Sequence, residues 1–374
     1  MSLKAIFPKL KTTHIQALQR DLLAWFALAA ADLPWRRTHD PYRIWLSEIM
    51  LQQTQVATVI PYYERFLDAF PTVEGLASTP LDRVLKLWEG LGYYSRARHL
   101  HQAAQKVVQD YGGQFPPSSA ELLTLPGIGR YTAGAIASIA FGESAAVLDG
   151  NVMRVLSRLF DISEPVTETA VRNDLWALAE HLVPADRPGD YNQAVMELGR
   201  EICKPRSPLC NQCPVAAHCL AFQRGVQGAR PIKAPRARTP HYAVAAGIVW
   251  NKQGQVLIAQ RPAEGLLGGL WEFPGGKREE GESLAECLAR ELREELGIGV
   301  AVGEQLTVVK HAFTHFRITL HAFECKLAAG EPQAIQCDDW RWVELSELDQ
   351  FAFGHADRQV AKVLREVVER RQHD

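Results

Sequence analysis

No stretch of this sequence is apolar for long enough to suggest a bilayer span, and a formal charge of -2 leaves neither sign in clear excess. The first absence excludes a helical membrane protein. Leu22 to Ala31 is apolar, but Asp21 and Asp32 bound it, so it reads as an amphipathic core helix rather than a spanning or secretory segment. The second absence removes any global electrostatic signature, although a near-neutral sum can hide a basic half behind an acidic one. Cysteine is sparse and odd in number, seven in all, with four crowded between Cys203 and Cys219. Such usage excludes a secreted disulfide framework and points to the cytoplasm. What is present is ordinary: 374 residues, 47% hydrophobic and 22% charged, give room for two domains and no sign of disorder.

Strand-like alternation is scarce up to about residue 222. Apolar residues recur there at three- and four-residue spacing, with breaks at Pro34, Pro71, Pro80, Pro116 to Pro117 and Pro126, which predicts an all-helical domain over 1–224. Residues 225–240 then change to Gly, Pro, Ala and cations (Arg230, Lys233, Arg236, Arg238), the composition of an extended linker. Residues 241–374 read as a mixed α and β domain. Strands are expected at Ala243 to Trp250, Val256 to Gln260, Phe316 to Cys325 and Trp340 to Glu344, and a helix at Leu284 to Leu296.

The helical half is organised around Leu125 to Asn151. Pro126 ends the preceding helix, and Gly127 and Gly129 permit positive φ, so a tight hairpin can turn its amides outward before a helix opening near Thr132. Such a hairpin is an anion site suited to a DNA phosphate. Asp149 follows about twenty residues later, with Gly150 and Asn151 expected to form a turn that returns an acid to the same end of the helix. Glu48 stands among Leu46, Ile49 and Leu51. A carboxyl desolvated in this way has the raised pKa of a general acid, whereas an ion-paired helix glutamate is the plainer reading. Gln52, Gln53, Thr54 and Gln55 offer amides and a hydroxyl that can fill a gap in a base stack. Gly90 to Arg98 puts Tyr93 and Tyr94 beside Arg96 and Arg98, a wedge with cations for phosphates or a packed helix start.

Cys203, Cys210, Cys213 and Cys219 follow the spacing C-x6-C-x2-C-x5-C. Four thiolates in one short loop need a metal centre. One compact loop of uneven spacings suits a [4Fe-4S] cluster better than zinc, and Lys204, Arg206 and Arg224 nearby suit a face turned to DNA.

These motifs together resemble the helix-hairpin-helix DNA glycosylases with an iron-sulfur loop, and among them the MutY-type adenine DNA glycosylases. The resemblance rests on Leu46 to Gln55, Leu125 to Thr132, Val147 to Asn151, Tyr191-Asn-Gln193 and the four cysteines. It implies Glu48 as the acid that protonates adenine and Asp149 as the group that stabilises or attacks the sugar cation, the division of labour of a retaining glycosidase. It implies Tyr131 and Asn151 as support, Arg36 and Gln193 in the adenine pocket, and Gln53 with Thr54 and Tyr93 at the gap left by the flipped base. Relatives that form a Schiff base carry lysine where this chain has Tyr131, so an abasic site with little strand cleavage is expected. The implied partner is duplex DNA with adenine opposite 8-oxoguanine or guanine, bound by a monomer.

In the second half, Gly276-x5-Glu282-x7-Arg290-Glu291-Leu292-x-Glu294-Glu295-x-Gly297-Ile298 matches the Nudix box without a break. Glu291, Glu294 and Glu295 share one helix face, a candidate Mg²⁺ site that Arg290 can orient. The fold class expected is therefore multidomain, an all-helical half followed by a Nudix-like α/β/α half. The family's C-terminal domain reads 8-oxoguanine through a Phe-Ser-His loop, which here is Phe313-Thr314-His315. A base-reading asparagine of the oxidised-dGTP hydrolases has no counterpart, because Asn251 is the one asparagine after the linker. Recognition alone is expected ahead of recognition combined with nucleotide hydrolysis.

Overall fold

The computed structural model describes residues 11–232 and 239–373. Lys233, Arg236 and Arg238 of the expected linker lie outside the described residues. The chain divides into two compact units, residues 1–77 with 102–236, and residues 78–101 with 237–374. Residues 78–101 thus group with the C-terminal half, which no composition shift signals.

The helices in chain order are α1 (Thr12–Ala29), α2 (Pro41–Leu51), α3 (Val56–Ala69), α4 (Val73–Ser78), α5 (Leu81–Trp88), α6 (Ser95–Tyr111), α7 (Ser119–Leu122), α8 (Arg130–Phe141), α9 (Gly150–Leu159), α10 (Thr169–Leu182), α11 (Pro188–Glu201) and α12 (Leu220–Gln223). The core of the first unit forms where α1, α9, α10 and α11 bring together Leu18, Leu22, Val155, Leu175 and Leu198. Small residues let elements close in on the future site. A Cβ on Gly134 of α8 would meet Ala146 O at 2.1 Å, and one on Gly199 of α11 would meet Asn151 Cβ at 2.6 Å. Residues 225–232, expected as linker, are partly folded. Asp161 accepts from Arg230 Nε at 2.8 Å and from Arg224 Nη1 at 2.7 Å, and Ile232 bridges to Pro165. Arg224 is therefore tied to a carboxylate, with about half of its side chain exposed.

The second unit is built on β1 (His241–Trp250), β2 (Val256–Gln260), β3 (Trp271–Glu272), β4 (Gly275–Lys277), β5 (Gly299–Ala312), β6 (Arg317–Ala329) and β7 (Asp339–Val343). Its order is β3-β2-β1-β6-β5, with β4 paired to β1 and β7 to β2. Helix α13 (Leu284–Leu296) packs through Cys287, Leu288 and Leu292 on one face, and α14 (His355–His373) packs through Val360, Ala361 and Leu364 on the other. This is an α/β/α sandwich. Ser283 and Glu286 form a capping box at the start of α13, and Gly297 at φ +69° ends it, so its sequence limits were legible.

Candidate functional site

Helix α2 carries Glu48 into the first unit, with only 5% of its surface exposed. Burial pushes its carboxyl up to about 7 against the Tyr131 hydrogen bond, while the charge of Asp149 adds to the rise and Arg36 opposes it. Tyr131, in the first turn of α8, donates its hydroxyl to Glu48 Oε2 at 2.7 Å and lies 3.1 Å from Met196 Sδ. The phenol thus has a second acceptor when Glu48 takes up a proton. Asp149 is the N-cap of α9, not part of a separate turn. Its Oδ1 accepts from Val152 N at 2.7 Å and its Oδ2 from Asn151 Nδ2 at 2.9 Å. Burial raises its pKa, opposed by those donors and by Arg154.

Arg154, three residues past Asn151, was not singled out from sequence. It donates to Asn151 Oδ1 at 2.8 Å, to Gly199 O at 2.7 Å and to Cys203 O at 2.7 Å. A continuous chain of bonds therefore joins the Asp149 carboxylate to the first cysteine of the loop. Arg158, one further turn along α9 and 2% exposed, donates to the carbonyls of Cys203, Lys204 and Pro205 and sits 3.3 Å from Cys203 Sγ. The four thiols feel one another. Burial pushes Cys213 up to about 12, and Cys203, Cys219 and Cys210 each add to the rise. Such a donor set fits a cationic centre that would stabilise four thiolates together. Among the described residues no three His, Cys, Asp or Glu side chains converge on a single-ion position.

Arg36 and Gln193 are half-buried on separate elements, the turn Pro34–Arg36 and α11. Arg36 Nη2 donates to Glu197 Oε2 at 3.0 Å, and Arg200 Nη2 donates to Glu197 Oε1 at 2.6 Å. Glu197, another residue that sequence reading missed, follows Gln193 at i+4 and shares its helix face. That spacing was the available signal.

The hairpin before α8 differs in detail from expectation. Gly127 has φ +73°, but Gly129 is extended at φ -92° and serves as N-cap, so the helix opens at Arg130 rather than Thr132. A Cβ on Gly129 would meet nothing within 4 Å, and no side chain caps the turn. The first amides of α8 are thus left without a side-chain acceptor. Gln53 sits just beyond α2 in the left-handed region at φ +57° and is exposed, with half-buried Thr54 beside it. Gln52 donates to Thr132 Oγ1 at 3.2 Å.

In the second unit Tyr93 is 43% exposed and also left-handed, at φ +48°. Arg96 fixes its turn by donating to Leu91 O and Gly92 O and lying over the rings of Trp88 and Tyr93. Arg96 is buried, and Arg98 donates to Gly268 O at 2.6 Å, so neither is the phosphate contact that the sequence suggested. Tyr93 Oη lies 3.0 Å from Thr314 Oγ1 at the tip between β5 and β6. Phe313 packs on Phe316 and His311, and His315 is exposed. Along α13, Arg290 binds Glu282 at 2.8 Å, Glu291 at 2.9 Å and Glu294 at 3.2 Å. Glu295 is half-buried and pushed up to about 7 by burial and then by Glu291. Arg290 thus orients three of these carboxylates, and Glu295 lies close enough to Glu291 for their charges to be felt.

Three family models match the chain: an HhH-GPD superfamily base excision DNA repair protein over residues 46–181, an iron-sulfur binding domain of endonuclease III over 203–219, and a NUDIX domain over 245–363. The adenine DNA glycosylase of Rattus norvegicus is 39% identical over 94% of this chain and 78% of its own length, and that of Homo sapiens is 38% identical over 94% and 74%. The chain belongs to the adenine DNA glycosylase family. The helical half of this family member also resembles the solved structure of a thermostable thymine-DNA glycosylase, at a TM-score of 0.52 and 33% identity, over 57% of this chain and 98% of that one. Both the recognition from sequence and the two-part fold class accord with these matches. The four cysteines of this glycosylase family member coincide with the ends and interior of the iron-sulfur match. No described helix is long and apolar enough to cross a membrane.

Proposed function

We propose that this chain is an adenine DNA glycosylase of base excision repair, hydrolysing the N-glycosidic bond of adenine opposite 8-oxoguanine or guanine. The observation that carries the reading is the buried Glu48, pushed up to about 7 and bonded to Tyr131, with Asp149 close enough for its charge to be felt. Glu48 gives its proton to the flipped adenine, and the bond to C1′ breaks with its electron pair leaving on the base. Asp149 faces the sugar cation as an anion, and Tyr131 and Asn151 hold the two carboxyls in place. Water then adds its hydroxyl to C1′ and gives its other proton to the Glu48 carboxylate, which leaves an abasic site and restores the acid. Tyr131 carries no amine, so strand cleavage through a Schiff base is not part of this reaction.

Arg36 and Gln193 line the adenine pocket. Gln53, Thr54 and Tyr93 occupy and wedge the vacated stack, while Gly127 and Gly129 present amides to a phosphate. Phe313, Thr314 and His315 read the opposing base. Cys203, Cys210, Cys213 and Cys219 hold a [4Fe-4S] cluster, whose contribution is to fix their loop. We assign 1–224 to the glycosylase domain, 225–240 to the linker and 241–374 to recognition, in a cytoplasmic monomer. Recognition is put ahead of nucleotide hydrolysis because the base-reading asparagine of the hydrolases has no counterpart after the linker, and Arg290, Glu291, Glu294 and Glu295 remain the residues that would hold Mg²⁺.

The test is single-turnover release of adenine from an A:8-oxoguanine duplex by wild type, Glu48→Gln and Asp149→Asn. Both variants are expected to bind the duplex and to lose at least 100-fold in rate, on the order of a removed general acid. Wild-type product should break only after alkali. Release by Glu48→Gln at the normal rate would remove the acid from the reaction.

A further inference from the structure

Strand register in the second unit gathers basic side chains on one part of one sheet face. Ala243 of β1 pairs with Thr319 of β6, which pairs with Lys310 of β5. Arg278 joins this row because its amide donates to Ala243 O at 3.0 Å. The next row outward on the same face is His241, Arg317 and Ala312, and the next inward is Ala245, His321 and Val308. His321 is held below its usual pKa by burial and then by Arg278, in keeping with that placement. Helix α13 covers this face only further along, where Ala245, Val249 and Cys325 join its cluster and a Cβ on Gly247 would stand 3.2 Å from Leu292 Cδ1.

The outer rows carry no such helix cover. His241, Arg278, Lys310 and Arg317 are exposed, and among the described residues Arg278, Lys310 and Arg317 have no carboxylate partner. Other basic side chains of this unit do have one, as Arg290, Arg341, Arg358 and Arg365 do. The floor between the cations is Ala243, Thr319 and Ala312, and the Thr319 hydroxyl is bonded to His241 Nε2 at 2.9 Å. From Arg278 to Lys310 the row crosses three interstrand gaps, about 14 Å in all. That is roughly four 3.4 Å rises along the axis of a duplex.

We propose that this uncovered basic face docks the sugar-phosphate backbone of duplex DNA, with Arg278, Lys310 and Arg317 as the groups that meet phosphates. The choice of partner rests on the glycosylase reading; the charge pattern does not. Small side chains let a backbone lie flat between them, and unpaired cations at its two edges complement a run of anions. Lys310 and Arg317 flank the tip Phe313 to Phe316, closed by Phe313 N donating to Phe316 O at 2.8 Å. The face therefore continues from the tip expected to read the opposing base and carries the duplex past it.

The experiment compares the full-length triple variant Arg278→Gln, Lys310→Gln, Arg317→Gln with wild type in duplex binding by anisotropy, from about 50 to 200 mM salt. The slope of log K against log salt should become shallower by about 0.9 for each cation removed, close to 3 for the triple variant, on undamaged and lesion-bearing duplexes alike. The pair Lys252→Gln, Lys326→Gln, exposed elsewhere in the same unit, should leave the slope as it was. An unchanged slope in the triple variant, or an equal change in the control pair, overturns the proposal. So does unchanged DNA binding with loss of polyglutamate binding, which would assign an acidic protein instead. If the triple variant does not fold, Lys310→Gln and Arg317→Gln singly should each move the slope by about 1, and no movement in either counts against it. Adenine release by wild type on the same duplexes is scored separately. Its absence alongside an altered slope would sink the glycosylase reading and leave this face standing.

Discussion

Replacing Glu48 by glutamine should make the protein more stable at high pH while it removes activity. Glu48 is raised from 4.5 to about 7 in the folded chain, chiefly by burial. The folded state therefore holds a proton that the unfolded state releases between those two values, and stability falls as pH rises through that window. Below pH 4.5 both states are protonated and there is no penalty; above about 7 the whole penalty applies. A rise from 4.5 to about 7 corresponds to about 3 kcal/mol at pH 8 and under about 1 kcal/mol at pH 5. Glutamine has nearly the same shape, keeps an oxygen to accept from Tyr131, and carries no charge. In denaturant melts with the cluster intact, Glu48→Gln should thus gain about 2 to 3 kcal/mol over wild type at pH 8 and much less at pH 5. A gain that is the same at both pH values, or a loss at pH 8, would refute burial as the cause of the raised pKa. The same titration sets activity: base release should fall about tenfold per pH unit above 7 as the proton is lost.

Other perturbations test the supports. Arg154→Ala removes donors to Asn151, Gly199 and Cys203 and should cost about 3 to 5 kcal/mol, lowering both the visible iron-sulfur absorbance and adenine release in the same preparation. Gly199→Ala would place a methyl 2.6 Å from Asn151 Cβ, so melts should show a loss of about 1 to 3 kcal/mol and kinetics a slower release. Gly276→Ala would place a methyl 2.2–2.4 Å from the Glu291 carboxyl, which Arg290 holds, so its melt should also show a loss of about 1 to 3 kcal/mol. Thr314→Val deletes the bond to Tyr93, with Thr314→Ser as the variant that keeps it. Valine should lower the preference for 8-oxoguanine over guanine in competition kinetics, and serine should not.

Much of this was legible because local signals were strong. The α13 helix is bounded by its capping box and by Gly297, and the β2 strand by the turn before it, so both expected spans agree with the structure. Glu48 was legible because Leu46 and Ile49 beside it are buried, which fixes its environment from neighbouring residues alone. The strand β5 was missed: Gly299 to Ala312 is largely exposed, so its alternation is weak. The very short strands β3 and β4 are defined by their partners rather than by their own sequence. Arg154 and Glu197 escaped for another reason. A charged residue on a helix is ordinarily solvated, and only tertiary packing against the cysteine loop and Arg36 turns these two inward. Arg96 and Arg98 misled in the opposite direction, since cations next to aromatics also stack and bond inward.

The two carboxyls of the site are both buried and both raised, so burial alone cannot divide their roles. Their partners do. Asp149 caps α9, where it accepts from the Val152 amide and the Asn151 side chain at a positive helix end, and it is within the field of Arg154. Glu48 accepts from the Tyr131 hydroxyl, in a helix that supplies Leu46 and Ile49 as neighbours, and the lowering by Arg36 is smaller than the rise from Asp149. A proton shared between these groups therefore rests on Glu48, and the charge of Asp149 helps to keep it there. Removing the donors of Asp149 would narrow that difference. Asn151→Leu should raise Asp149 towards Glu48, and the pH profile of base release should then broaden and shift, whereas a substitution that only loosened packing would lower the rate at every pH alike.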